Sequence, residues 1–524
     1  MARIRIGRDV REHPWGGGGP RRSFVPGVSV LLLVAAASVA AAEERWRPQI
    51  PRVWDEAALA TLEVPLPYPE ASPVHISADE YYAIPAREVY RSYPVHHPDR
   101  EPDGYWEWLH QQEPEVVFDA SELVTEEDWV RAGELVFHEG NDYSTGSELR
   151  FVRDPRAWEA ARISPSADGT FPFARYFVRE KGKVELGVGS CAACHSRAMP
   201  DGTVIYGAQG NFPLGWTVAW EIRAEIAATG ENPTVDETWG EYRQHAAPWL
   251  DPDPNAAILG RTLSEVADLW DSFPPSVMPR ERSSFFYPVR VPDLIGIGSR
   301  RYLDASGIVQ HRSIGDLMRY AALNQGADDL SSFAGFRVAA ADGQTAPPLS
   351  SLSRYSDEQL YALALYLDSL EPPPNPHPID EAARRGQEVF ERAQCGRCHP
   401  APLYTNNRLL PADGFEIPAD HHDRYHVLNL RVGTDPNLTL RTRRGTGYYK
   451  VPSLLGVWYR GPFGHDGSVA TLEDWFDPRR LRDDYVPTGF RGLGVERRAV
   501  PGHRYGTDLS AEERRDLVAF LRTL

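Results

Sequence analysis

Two stretches of the chain carry apolar residues at helical spacing, and they match in register. Leu363, Tyr366, Leu367 and Leu370 form one stripe; Leu517, Phe520, Leu521 and Leu524 form the other. Each follows a capping box, Ser356-Asp357-Glu358-Gln359 and Ser510-Ala511-Glu512-Glu513, in which Ser caps a backbone N–H and the residue three on reaches back. The pattern predicts helices running to Leu370 and Leu524. A second repeated pair lies upstream: Gly133-Glu134-Leu135-Val136-Phe137 and Gly386-Gln387-Glu388-Val389-Phe390, each read as a helix. Repetition in this order predicts two tandem units, 126–372 and 373–524. The Pro-rich run from Glu371 to Pro378 joins them as a stiff, extended linker. Residues 43–125 show no clean period and read as an irregular extension. The expected fold is mainly α, with long irregular loops.

The first residues have a different pattern. Arg21 and Arg22 precede an apolar run from Val28 to Ala42 that ends in Ala40-Ala41-Ala42, the small-residue signature of a cleavable export signal over 1–42. The run is shorter than the roughly 20 residues a membrane span needs. The mature chain is therefore expected in the periplasm or outside the cell, with no stable membrane insertion. The formal charge of the 524-residue chain is −18, and the leader holds six Arg against Asp9 and Glu12, so the remainder is more acidic still. Such a surface argues against nucleic-acid binding and suits docking of a small basic redox protein.

All four cysteines sit in two identical patterns, Cys191-Ala192-Ala193-Cys194-His195 and Cys395-Gly396-Arg397-Cys398-His399. Two disulfides, a zinc site or a redox pair would each use cysteines, but none explains a histidine directly after both pairs. Covalent haem c does: two thiols bond the haem vinyls and the adjacent imidazole becomes an iron ligand. The chain is thus expected to carry two haem c groups, one per unit, with His195 and His399 as proximal ligands. Each unit then reads as a cytochrome c domain. In the second the opening helix leads straight into the motif; in the first, about fifty residues intervene and read as an inserted loop.

The remaining ligands can be narrowed by inventory. The methionines are Met1, Met199, Met278 and Met318, so the second unit has none to offer its iron. Its candidates are His503, in Pro501-Gly502-His503, and His465, in Phe463-Gly464-His465-Asp466-Gly467. His421, His422 and His426 lie in a polar loop and are expected to be solvated. In the first unit the downstream histidines are His245 and His311. His311, near a helix start, is a candidate proton acceptor for bound peroxide. A bridging calcium is left open.

Tyr448-Tyr449-Lys450-Val451-Pro452-Ser453-Leu454 and Gly461-Pro462-Phe463-Gly464-His465-Asp466-Gly467-Ser468-Val469-Ala470-Thr471-Leu472-Glu473 resemble a stretch of the bacterial dihaem cytochrome c peroxidases and MauG. The resemblance is specific over 380–524 and loose over 126–372. It implies two facing haem domains, a reactive first haem and a second that relays electrons. Arg479 stands where that family places a Met or Tyr ligand, which favours His503 for the second iron. Tyr302-Leu303-Asp304 matches the family's inter-haem stretch with its Trp replaced by Leu303, leaving Tyr302 as a possible relay. The long extension and wide motif spacing look more like the rubber oxygenases, dihaem dioxygenases. The expected function is peroxide reduction; oxygenation of an organic substrate and plain electron transfer are the alternatives.

Overall fold

In a computed structural model of the chain, residues 46–235, 241–280, 284–339 and 347–524 are described. The expected export signal lies outside them. Both capping boxes form: Ser356 and Gln359 open the helix Asp357–Ser369, and Ser510 and Glu513 open Ala511–Arg522. Taking the elements used below in chain order, α1 is Glu126–His138, α2 is Leu214–Thr229, α3 is Asp357–Ser369, α4 is Glu381–Arg392 and α5 is Ala511–Arg522.

The repeat has a three-dimensional counterpart. Helix α1 packs on α3 as α4 packs on α5. A Cβ on Gly133 would collide with the Ala362 carbonyl oxygen and stand 2.7 Å from Tyr366 Cβ. One on Gly386 would collide with the Asp516 carbonyl oxygen and stand 2.8 Å from Phe520 Cβ. Ala362 and Asp516 hold the same place relative to the two stripes, as do Tyr366 and Phe520. Glycine is needed at both crossings because the backbones touch there.

The expectation of a mainly α fold is corrected: helix and sheet are mixed. Strands β1 (Ser92–His96), β2 (Asp142–Ser144), β3 (Thr170–Glu180) and β4 (Lys183–Val188) form an antiparallel sheet in the order β1-β3-β4-β2. The stretch read as an inserted loop is thus two short helices, Ser147–Arg153 and Pro155–Ala160, and a hairpin turning at Gly182 with φ +84°. The extension read as irregular supplies the edge strand β1. The sequence hid this because Phe171 and Phe173, and then Tyr176, Phe177 and Val178, are buried on both faces of β3. A strand covered on both sides loses the alternation that marks a strand in sequence. The extension also reaches the main core, where Val53, Trp54 and Leu62 join a cluster with Leu317, Met318 and Leu363. Among the described residues no helix is long and apolar enough to cross a membrane.

Candidate functional site

Ser190 caps the one-turn helix Cys191–His195, its side chain accepting from the Ala193 N–H. The turn sets Cys191, Cys194 and His195 into the wall of a cavity of about 510 Å³. His195 Nδ1 lies 3.1 Å from the Pro292 carbonyl oxygen, so Nδ1 carries the proton and Nε2 is left to bind a metal. Burial pushes its pKa down to about 4, keeping the ring in the neutral, ligating form.

Leu363 and Leu367 of α3 also line this cavity, as do Phe151, Phe173 and Phe212. Helix α2 lends one face, Leu214, Thr217, Val218 and Glu221, at the i, i+3, i+4, i+7 spacing. Glu221 Oε1 is buried without a hydrogen-bond partner. Burial, reinforced by the Glu148 carboxylate, pushes the Glu221 carboxyl up to about 8, so it holds a proton at neutral pH.

The second motif borders a cavity of about 260 Å³ that holds Cys395, Cys398 and His399. Phe390 of α4 and Leu517 and Leu521 of α5 line it. Leu517 and Leu521 are the stripe equivalents of Leu363 and Leu367, so matching positions of the repeat face matching cavities. His399 Nδ1 donates to the Tyr404 carbonyl at 3.0 Å, again freeing Nε2.

His503 looks back at His399 with ring centroids 6.4 Å apart. An imidazole nitrogen sits about 2.0–2.1 Å from a bound first-row metal ion, so two rings on opposite sides of one metal have centroids about 6.3 Å apart. The observed spacing meets that requirement. Burial first, then the neighbouring His399, pushes the His503 pKa down to about 3. Its Nδ1 has no partner. The fully buried Arg480 fixes the loop, donating to the carbonyls of Val500 (2.7 Å), Gly502 (3.0 Å) and His503 (2.7 Å). Arg479 points away into an exposed pair with Asp477.

The other expected residues fall as follows. His465 lines both large cavities and packs on Tyr449, ring centroids 5.1 Å apart. Tyr302 is buried, receives the His426 N–H at 3.0 Å and lines a small cavity of about 40 Å³. Leu303 lies in the main core and lines none of these cavities. His311 also stands outside their walls; its Nδ1 lies 2.8 Å from the Arg300 carbonyl oxygen. His421 is not solvated but buried, with Nδ1 2.9 Å from the Tyr448 hydroxyl. Among the described residues no group of three or more His, Cys, Asp or Glu is arranged to hold a metal ion, and nothing supports a calcium.

Sequence reasoning missed Glu221, Arg290 and Lys450. A helical projection of α2 does not single out Glu221, because apolar residues lie all round this helix and Glu221 projects beside Thr217 and Glu225. Arg290 and Lys450 line both large cavities and the small one. Lys450 belongs to the Lys450-Val451-Pro452-Ser453-Leu454 stretch, whose sequence alone does not show the cavities it lines.

No family model matches the chain. It is similar to the methylamine utilization protein MauG of Methylorubrum extorquens, 28% identical over 155 residues that cover 28% of this chain and 35% of that protein. It is also similar to a cytochrome-c peroxidase of a Pseudomonas species, 25% identical over 166 residues covering 28% of this chain and 40% of the relative. The chain thus spans 35% to 40% of the length of these curated relatives. A solved MauG-like protein associated with microbial copper homeostasis is 20% identical, covers 45% of this chain and 73% of its own, and has a TM-score of 0.27. Over the matched stretch the chain is thus similar to oxidoreductases named MauG and cytochrome-c peroxidase.

Proposed function

We propose that the chain is an exported, periplasmic or secreted, dihaem c-type cytochrome that reduces peroxide in its first cavity with electrons entering through the second. A small redox protein is the donor. The observation that carries this reading is the contrast between the two cavities. His399 and His503 stand at the separation of two ligands on one metal, which suits an electron relay closed on both faces. The first cavity is about twice as large and has both His195 and a proton-bearing Glu221 in its wall.

Bound to Cys191, Cys194 and His195, a haem would supply an iron that takes up peroxide and passes on electrons. The chain's own residues do the rest. Cys395, Cys398, His399 and His503 hold the second group. Phe151, Phe173 and Phe212 keep the first cavity apolar and restrict water. Reducing peroxide to water consumes protons as well as electrons, and Glu221 offers one from its carboxyl. Tyr302 lines the small cavity that Arg290 and Lys450 join to both large ones, which supports a place for it between the two centres.

A second reading, dioxygen insertion into an organic substrate, is favoured by the phenylalanine wall and greater size of the first cavity. Haemochrome assay should find two covalent haems, and an EPR spectrum of the isolated protein one high-spin and one low-spin ferric centre. Peroxide-dependent oxidation of a reduced small cytochrome is the expected activity. Two low-spin centres inert to peroxide would make the protein an electron carrier; oxygen uptake with an organic substrate and no peroxidase turnover would select the second reading.

A further inference from the structure

Between the two large cavities the chain gathers cations that its own carboxylates do not neutralise. Arg290, Arg300, Lys450 and Arg460 surround the small cavity of about 40 Å³. Asp293 is divided between Arg300 and Arg460, 3.5 Å from each. Arg290 donates to neutral acceptors, Gln209 Oε1 at 2.7 Å and the Gly464 carbonyl at 2.9 Å. The Lys450 ammonium lies 3.4 Å from the Tyr302 carbonyl oxygen, with Asp304 the acid acting on it. Four cations thus share two carboxylates in a region shielded from water.

Burying like charges together is costly unless anions complete the set. Burial and the neighbouring arginines already push the Lys450 pKa down to about 7 and burial that of Arg290 to about 9. The missing negative charge has to come from what fills the cavities. Each haem carries two propionate carboxylates, and Arg290 and Lys450 are in the walls of both large cavities.

We propose that Arg290 and Lys450 form a single anchor that takes a propionate carboxylate from each haem, so that the two centres share one counter-charge. This rests on the reading that the chain holds two haems. It has a consequence that separate anchors would not have. Reduction adds negative charge to a centre, and a nearby cation favours it by Coulomb attraction. Removing one shared cation therefore makes both haems harder to reduce.

The test is a spectroelectrochemical titration of the Lys450→Met protein, with Arg290→Gln as an independent variant and Lys450→Arg as the rescue. Haemochrome assay first counts the haems; fewer than two in the wild type would overturn the underlying reading instead. With two haems present, both midpoint potentials are expected to fall in either charge-removing variant and to return towards wild type in Lys450→Arg. A fall at one haem alone, or at neither, overturns the shared anchor. The wild type is also titrated with inorganic phosphate, and its potentials are expected to stay put. A shift on adding phosphate would assign the cluster to a free anion and overturn the proposal.

Discussion

His399 and His503 face each other across the second cavity with ring centroids 6.4 Å apart, and Arg480 holds the His503 loop by three backbone carbonyls. His503→Ala is expected to convert the low-spin EPR signal to high-spin while leaving both haems attached. His465→Ala should leave that signal in place, because His465 packs on Tyr449 and has no ring contact with His399 comparable to that of His503. The reverse outcome would assign the ligand to His465.

Glu221→Gln separates chemistry from stability. Loss of a positioned proton donor costs about a hundredfold or more in turnover. Stability should move the other way. A free glutamate titrates near 4.5 and Glu221 at about 8, so between these values the unfolded chain releases a proton that the folded chain keeps. Stability therefore falls as pH rises through that window, and glutamine removes the loss. The variant should match wild type at pH 4 and gain about 2–4 kcal/mol at pH 8 in denaturant unfolding followed by haem absorbance.

His311→Ala measured beside Glu221→Gln decides which group handles the proton. With its Nδ1 on a backbone carbonyl and its ring outside the cavity walls, His311 should be replaceable with less than about a threefold loss, well short of the effect of removing a general base. A hundredfold loss at His311 with normal turnover at Glu221→Gln would return the role to His311.

Gly386→Ala drives a methyl into the Asp516 carbonyl, and Gly133→Ala does the same at Ala362. Overpacking of this kind costs about 1–3 kcal/mol or more, since neither helix can retreat without opening its core. Each variant should unfold at lower denaturant. Wild-type stability in both would mean that the helices cross less closely than described.

The sequence was most readable where a signal is local. The capping boxes at Ser356 and Ser510, the helix starts they mark and the two leucine stripes need only a few neighbouring residues, and all formed as expected. The sheet was not readable in this way, because burial of the consecutive Tyr176, Phe177 and Val178 covers both faces of β3 and erases its alternation. Choosing between His503 and His465 needed space as well: both lie in glycine-flanked loops, and only the fold shows which ring stands opposite His399. Glu221, Arg290 and Lys450 draw their meaning from the cavities they line, and those are built from segments hundreds of residues apart.

Arg444 stands in the wall of the first cavity, though it lies far along the chain from Cys191 and Cys194. It is buried between Glu63 of the extension, at 2.9 Å, and Asp328, at 3.1 Å. That guanidinium works as a clasp between segments far apart along the chain. The chamber beside Cys191 and Cys194 cannot acquire its finished wall until the last third of the polypeptide has been made and brought back to the first. Whatever is joined to those thiols therefore sits in a chamber that distant parts of the chain complete together.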